Sequence, residues 1–225
     1  RQDVLKDCVA NPAVVRELYG LAGDTIERRR KAHGGIAGRS PGLVLMSSVG
    51  VLQIVVETLR QFRRIADEQS GSFKSAGFQA FFAMLRRELD DAFFTEVAQH
   101  LQALKFRDGV LLSAGLGWGN RGAGYVLRKP QPRRQTWLQQ ALEEKQAVHT
   151  FRIADRDEIG ARALEELKDR GINLIANALA QSTDHIMAFL ILLQAELAFY
   201  GGCLNLHDRL VSQGRTFRKG LRYNL

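Results

Sequence analysis

Between Gly109 and Leu142 the chain carries no acidic residue, while Arg121, Arg128, Lys129, Arg133 and Arg134 are all basic. Glycines from Gly109 to Gly124 offer backbone N–H groups with no side chain over them, and Trp118 and Tyr125 add two aromatic rings. That combination suits phosphate contacts. Guanidinium and ammonium groups neutralise a nucleic-acid backbone and bare amides add hydrogen bonds, without reading a base. The five basic residues are the candidate DNA-binding set, and the competing reading is a solvated hairpin tip.

Other chemistries find less to work with. Gly117, Gly119 and Gly122 spell GxGxxG, which cradles a pyrophosphate when a helix begins at once. Here Gly124 to Leu127 continue as strand and Pro130 stops them, so the glycines read as a permissive hairpin loop. No phosphate loop ending in Gly-Lys-Ser/Thr, no nucleophile elbow and no His or Cys pair at metal-ligand spacing occurs. Asp184 and His185 are adjacent, but neighbours on a helix point about 100° apart and do not form an acid–base dyad. This segment is therefore expected not to be an enzyme, with no catalytic, cofactor or metal residue of its own.

The elements that would carry the basic stretch are mostly helical. Residues Arg1 to Ala10 read as a short helix stopped at Asn11, and Pro12 opens a second that runs to about Lys31. Its basic end, Arg28 to Lys31, complements the helix dipole, which is the plainer explanation than a DNA contact. After the loop His33 to Gly42 a third helix spans about Leu43 to Glu68. Following the turn at Ser70 to Ser72, two more helices carry Phe78, Phe81, Phe82, Phe93 and Phe94 at core spacing.

The pattern then changes. Val110 to Ser113 and Tyr125 to Leu127 read as paired strands, Gln135 to about Glu144 as a helix, and Val148 to Ile153 as a third strand. Asp155 and Asp157 cap a helix from Glu158 to about Arg170, and Gly171 is expected to break or kink it. From Ile172 to Leu210 runs the longest apolar pattern. Ile172, Leu179, Ile186, Leu193 and Tyr200 form one column and Ala176, Thr183, Leu190, Leu197 and Leu204 another. With Leu192 and Phe199 also apolar, the middle of this rod is expected to be covered on most sides. Asp184 and Glu196 interrupt it, which argues against a membrane span, and a kink is plausible at Gly201 and Gly202.

The 225 residues carry a net charge of +8 and a hydrophobic content of 45%. That is enough for a real core and points to a polyanionic partner, nucleic acid first and an acidic membrane surface second. Cys8 and Cys203 both fall in apolar helical patterns, so buried thiols in a reducing compartment, the cytoplasm, are expected. The chain begins at Arg1 without a Met and reads as a segment of a longer protein. The fold class is mainly α: an elongated bundle of long helices with a small inserted antiparallel β element.

Three segments resemble one family. RQDVLKDCVANPAVVREL at the start is similar to the opening of the helical core domain of MutS-type DNA mismatch-repair ATPases. SAGLGWGNRGAGYVLRKP resembles the SAxLGxGNKGxxYxLR segment of smaller MutS-related proteins. The run ANALAQSTDHIMAFLILLQAELAFYGGCLNLHDRLVSQG is similar to the long helix that returns towards their ATPase domain. Gly115 stands where that family has an acidic residue and Trp118 where a smaller or basic one is usual. The resemblance implies residues 1–106 as the first part of the core and 107–155 as a clamp-like insertion. It makes 156–214 the returning lever helix and 215–225 a linker towards an ATPase domain. It also implies double-stranded DNA as partner, a homodimer formed through the ATPase domain, and ATP and Mg bound by the parent protein. The alternatives are a helical protein-interaction scaffold and, from the enzyme class, a nucleotide-binding enzyme using the glycine-rich loop.

Overall fold

In a computed structural model of the chain, residues 1–33, 40–106, 109–120, 122–128, 152–154 and 156–213 are described. Among them are six α-helices and one two-stranded antiparallel sheet. The order is α1 (Gln2–Ala10), α2 (Pro12–His33), α3 (Pro41–Gln69), α4 (Ala76–Glu88), α5 (Asp91–Ala103), β1 (Leu111–Leu116), β2 (Gly122–Arg128) and α6 (Glu158–Ser212). The helix starts are those the capping residues dictate. Ser40, Ser75, Asp90 and Asp157 each accept a hydrogen bond from a backbone N–H of the first turn they precede.

The largest departure from the sequence pattern is α6. Gly171 neither breaks nor kinks it, and it continues as regular helix through Gly201 and Gly202 for 55 residues, about 80 Å at the usual rise. One apolar column explains its position: Ala176, Thr183, Leu190, Leu197 and Leu204 are all buried, packed chiefly against α2 and α3. Thr183 is tolerated there because its hydroxyl donates to the Leu179 carbonyl oxygen at 2.8 Å. The other expected column is buried only at Ile172 and Tyr200, and Leu192 and Phe199 face away from the bundle. The rod is thus covered along one side, not on most sides, because α1, α2 and α3 all lie against the same face.

Two core clusters share α6. The larger joins α1, α2, α3 and α4 around Phe62, Phe73, Phe82, Leu190 and Leu204, with the rings of Phe73, Phe78 and Phe82 in mutual contact. The smaller lies towards the hairpin, around Leu45, Val49, Leu101, Ile172 and Ala176. The helix-end arginines pair with neighbouring groups on the surface of the bundle: Arg28 with Glu57, Arg29 with Asp184, Arg63 with Asp67 and with the carbonyl oxygens of Arg86 and Leu89. Arg60 lies over the Phe94 ring at 4.2 Å. Asp184 and His185 go separate ways, since His185 Nδ1 contacts the Gln181 carbonyl oxygen while Asp184 pairs with Arg29. Cys8 is buried, and burial pushes its thiol up to about 11; Cys203 is only half-buried, contrary to expectation.

The expected helix at 135–144, Asp155 and the linker 215–225 lie outside the described residues. So does most of the expected third strand, and Arg152 to Ala154 are not in a strand.

Asp7 ties α1 to the turn before α4. Its carboxylate, 6% exposed, accepts from the backbone N–H groups of Lys74 (2.9 and 3.1 Å) and Ser75 (2.7 Å), just before α4. Burial pushes the carboxyl up, but the hydrogen bonds from Ser75 and Lys74 outweigh it and hold the pKa below its ordinary value. A lowered folded pKa means the stabilisation is fully present above the unfolded value of about 3.9 and is lost as pH falls through the folded one. Asp7→Ala is expected to cost on the order of 1–3 kcal/mol at neutral pH, since the buried Ser75 N–H and the half-buried Lys74 N–H lose their acceptor. Urea melts at pH 7 and pH 3 check both signs: the gap between parent and variant should shrink at the lower pH.

Candidate nucleic-acid interface

The hairpin is held by its base and bare at its tip. Leu111 pairs with Arg128, Leu112 with Leu127 and Ser113 with Val126, and nearer the tip Gly115 pairs with Ala123 and Leu116 with Gly122. Between these two sets the register slips by one, leaving an extra residue on β2. Gly124, at φ 63°, sits in that interval, in a left-handed conformation that costs glycine nothing. Gly119 at the turn, φ 68°, needs glycine for the same reason.

A close approach docks this hairpin on α6. A Cβ added to Gly171 would meet Leu112 Cδ2 at 2.2 Å and Cδ1 at 2.8 Å, so the leucine occupies the space that any other residue would fill. Leu127 and Val110 pack alongside, against the smaller core cluster. The glycine that reads as a kink is in fact a seat. Two residues before it, Asp169 Oδ1 accepts from the Gly42 backbone N–H at 3.0 Å, which ties the start of α3 to the same stretch of α6. An open, mainly apolar cleft of about 1070 Å³ runs beside the hairpin base, with Met46, Tyr125, Leu164 and Leu167 among its walls and Lys105 and Lys168 at its edge.

Of the five sequence-predicted residues, only Arg128 is among those described. It lies at the base of the hairpin, exposed, and its Nε donates to Ser113 Oγ at 2.9 Å. Trp118 lies at the opposite end, 98% exposed, with Leu116 beside it. Six residues of strand separate base from tip, roughly 15–20 Å. Arg128 and the tip aromatic therefore do not form one cluster but mark the two ends of one edge. Arg121, Lys129, Arg133 and Arg134 lie outside the described residues.

The glycine-rich turn leads into β2 and not into a helix, so the GxGxxG spelling lacks the helix N-terminus that would face a pyrophosphate. Among the described residues no three His, Cys, Asp or Glu side chains come together as a metal-binding group. What sequence reasoning missed is the dock: Gly171, Leu112 and Asp169. An isolated glycine in a helical pattern was the one available signal, and it admits a kink and a close approach equally.

These features define a class: a very long helical stem, packed on a bundle of shorter helices, that carries a small β hairpin partway along its length. Residues 1–213 match the MutS2 N-terminal domain family, and the chain belongs to it. Searches of curated proteins and of solved structures found no match.

Gly171→Ala is expected to loosen the hairpin although α6 itself gains helix propensity of ~1 kcal/mol. Hydrogen exchange should show faster exchange in residues 111–116 and 122–128 with α6 still protected. Adding Leu112→Ala should leave room for the new methyl, so that Gly171→Ala has no further effect on hairpin exchange in that background. Unchanged exchange in the single variant would mean that Leu112 turns aside freely.

Proposed function

We propose that this chain is the DNA-engaging core and lever module of a MutS-like DNA repair ATPase of the cytoplasm, in which the hairpin region meets duplex DNA. The observation that carries the reading is that the hairpin seated on α6 falls within the acid-free stretch of the sequence from Gly109 to Leu142. Phosphate contact needs positive charge on an exposed edge, which Arg128 supplies at the base and Trp118 complements at the tip with a stacking face. Membership in the MutS2 N-terminal domain family supports the DNA-repair setting.

Mechanically, a regular helix about 80 Å long transmits rigid-body motion, since bending it means breaking packed side chains along the whole buried column. On this reading a shift at the Leu204 end moves the hairpin seat at Gly171, roughly 50 Å away along the helix. ATP and Mg chemistry belongs, by the family resemblance, to an ATPase domain of the parent protein, which also supplies its dimerisation; no residue of this chain is assigned to either. The coupling would be reciprocal, with DNA at the hairpin biasing the nucleotide state as nucleotide biases the clamp.

The exposed apolar side of α6 favours a second reading, a protein-interaction scaffold whose positive charge is incidental. The two part on salt. The DNA module binds duplexes of unrelated sequence with similar affinity, which falls as salt rises. Replacing Arg128, Lys129, Arg133 and Arg134 by Ala should weaken binding at least tenfold at low salt and flatten the log–log salt slope by about 2–4. Fluorescence anisotropy with a labelled duplex at several salt concentrations measures both, and an unchanged slope would take the hairpin region out of the DNA path.

A further inference from the structure

The cleft at the hairpin base leaves large apolar side chains bare. Met46 on α3 is 67% exposed, Leu111 on the hairpin 50%, and Leu164 and Leu167 on α6 55% and 40%. With Val49 and Tyr125 they line one mainly apolar space of about 1070 Å³. A contiguous patch of that kind marks a place where something packs. The course of the chain says what. Strand β2, which supplies Tyr125, ends at Arg128, and the next described residues, Arg152 to Ala154, lead into α6. Ile153 Cγ2 stands 3.2 Å from where a Cβ on Gly160 would be, one turn of α6 before Leu164. The chain thus leaves one wall of the cleft at Arg128 and returns to another at Ile153.

We infer that the cleft is the seat of the intervening stretch of this same chain, residues 129–151, which lies outside the described residues, and that Trp137 is its anchor. The helical reading of Gln135 to Glu144 sorts the side chains cleanly. At about 100° per residue Trp137, Leu138, Ala141 and Leu142 fall on one side, and Gln139, Gln140 and Glu143 on the other. Reach is sufficient. Nine residues from Arg128 to Trp137 and ten from Leu142 to Arg152 span up to about 30 Å each when extended. Tethered at both rims, the stretch meets the cleft at an effective concentration on the order of millimolar, ahead of any untethered partner.

The seat gives the basic run a fixed place. Arg133 and Arg134 come four and three residues before Trp137, so anchoring Trp137 brings them up to the hairpin base, where Arg128 already stands. That consequence rests on the DNA reading; the seat itself does not. It makes Trp137 a positioning residue, which touches no nucleic acid but sets where two guanidinium groups meet a phosphate backbone. The two tryptophans of the chain then have opposite surroundings: Trp118 is 98% exposed at the tip, and Trp137 is packed at the base.

That contrast makes the test direct. In the Trp118→Phe chain Trp137 is the only indole left, and its emission should be blue-shifted from that of N-acetyltryptophanamide. Acrylamide should quench it several times less than it quenches Trp118 in the Trp137→Phe chain. Adding Met46→Glu and Leu167→Glu, both at exposed positions, should move the emission to the red while the helical circular dichroism holds, and Met46→Leu should leave it blue. In a Cys203→Ser background, Leu138→Cys should oxidise to Leu164→Cys within a single 25.2 kDa chain and not to Phe199→Cys. Emission like that of the free indole, or blue emission that the charged walls leave unchanged, would overturn the proposal. So would blue emission that appears only as protein concentration rises, which would put another chain in the cleft. For the positioning role, Trp137→Gln should weaken duplex binding roughly threefold or more and Trp137→Phe should restore it. Full duplex binding by Trp137→Gln would overturn that role, whereas a parent chain that binds no duplex sinks the DNA reading and leaves the seat standing.

Discussion

One row of side chains holds this molecule together: Ala176, Thr183, Leu190, Leu197 and Leu204 on α6, pressed against α2 and α3. A fully buried leucine contributes about 1.5–3 kcal/mol relative to exposure, so the three leucines of this row outweigh any ion pair on the surface. The row also fixes rotation. Once these residues face the bundle, Gly171 must face the hairpin and Phe199 must face outward, because a regular helix allows no independent choice. The dock and the bare outer side of α6 are both consequences of this one burial.

Polar groups inside the bundle locate the helices but do not drive their packing. The Thr25 and Thr58 hydroxyls meet at 2.6 Å across α2 and α3: one donates to the other, whose own proton goes to the carbonyl oxygen four residues back in its helix, Leu21 or Ile54. Asp7 does the same work between α1 and the turn before α4. In each case the penalty for leaving the group unsatisfied exceeds the net gain from satisfying it, so these contacts select one register among several with similar apolar area. Gln194 plays a steric version of that role: a Cβ on Gly23 would meet its amide at 2.6 Å, which lets α2 approach α6 closely at that level.

Helix placement was largely legible in the sequence: Pro12 and Asp157 were read as starts and stand there, while Ser40, Ser75 and Asp90, not singled out in the sequence, cap the three helices whose apolar spacing was. The hairpin was legible for the same reason, through turn glycines between apolar runs. What failed was what depends on a distant partner. Gly171 signals permissiveness, and only Leu112, nearly sixty residues earlier in the chain, decides that the permissiveness serves close packing and not bending. Leu192 and Phe199 look like core by composition, and only the one-sided arrangement of α1, α2 and α3 leaves them outside. The basic set was legible as charge, but charge says nothing of geometry: Arg128 turned out to lie at the hairpin base, a strand's length from Trp118.

The same burial constrains how any force could travel. The row of α6 is shared by two core clusters, one reaching α1 and α4 and the other reaching the hairpin, and the helix between them is unbroken. A packed interior is not continuously deformable, so displacement of α6 at one cluster is resisted at the other unless the whole row moves. Gly201 and Gly202 weaken helix propensity near the far end, by ~1 kcal/mol each relative to Ala, yet Leu197 and Leu204 on either side of them stay buried. Packing, not propensity, keeps that stretch helical. Any bending would therefore be expected where the row ends, in Glu158 to Arg170, where no residue is buried. That segment runs beside the apolar cleft through Leu164 and Leu167, so the end of α6 with the least packing is also the one closest to the hairpin base.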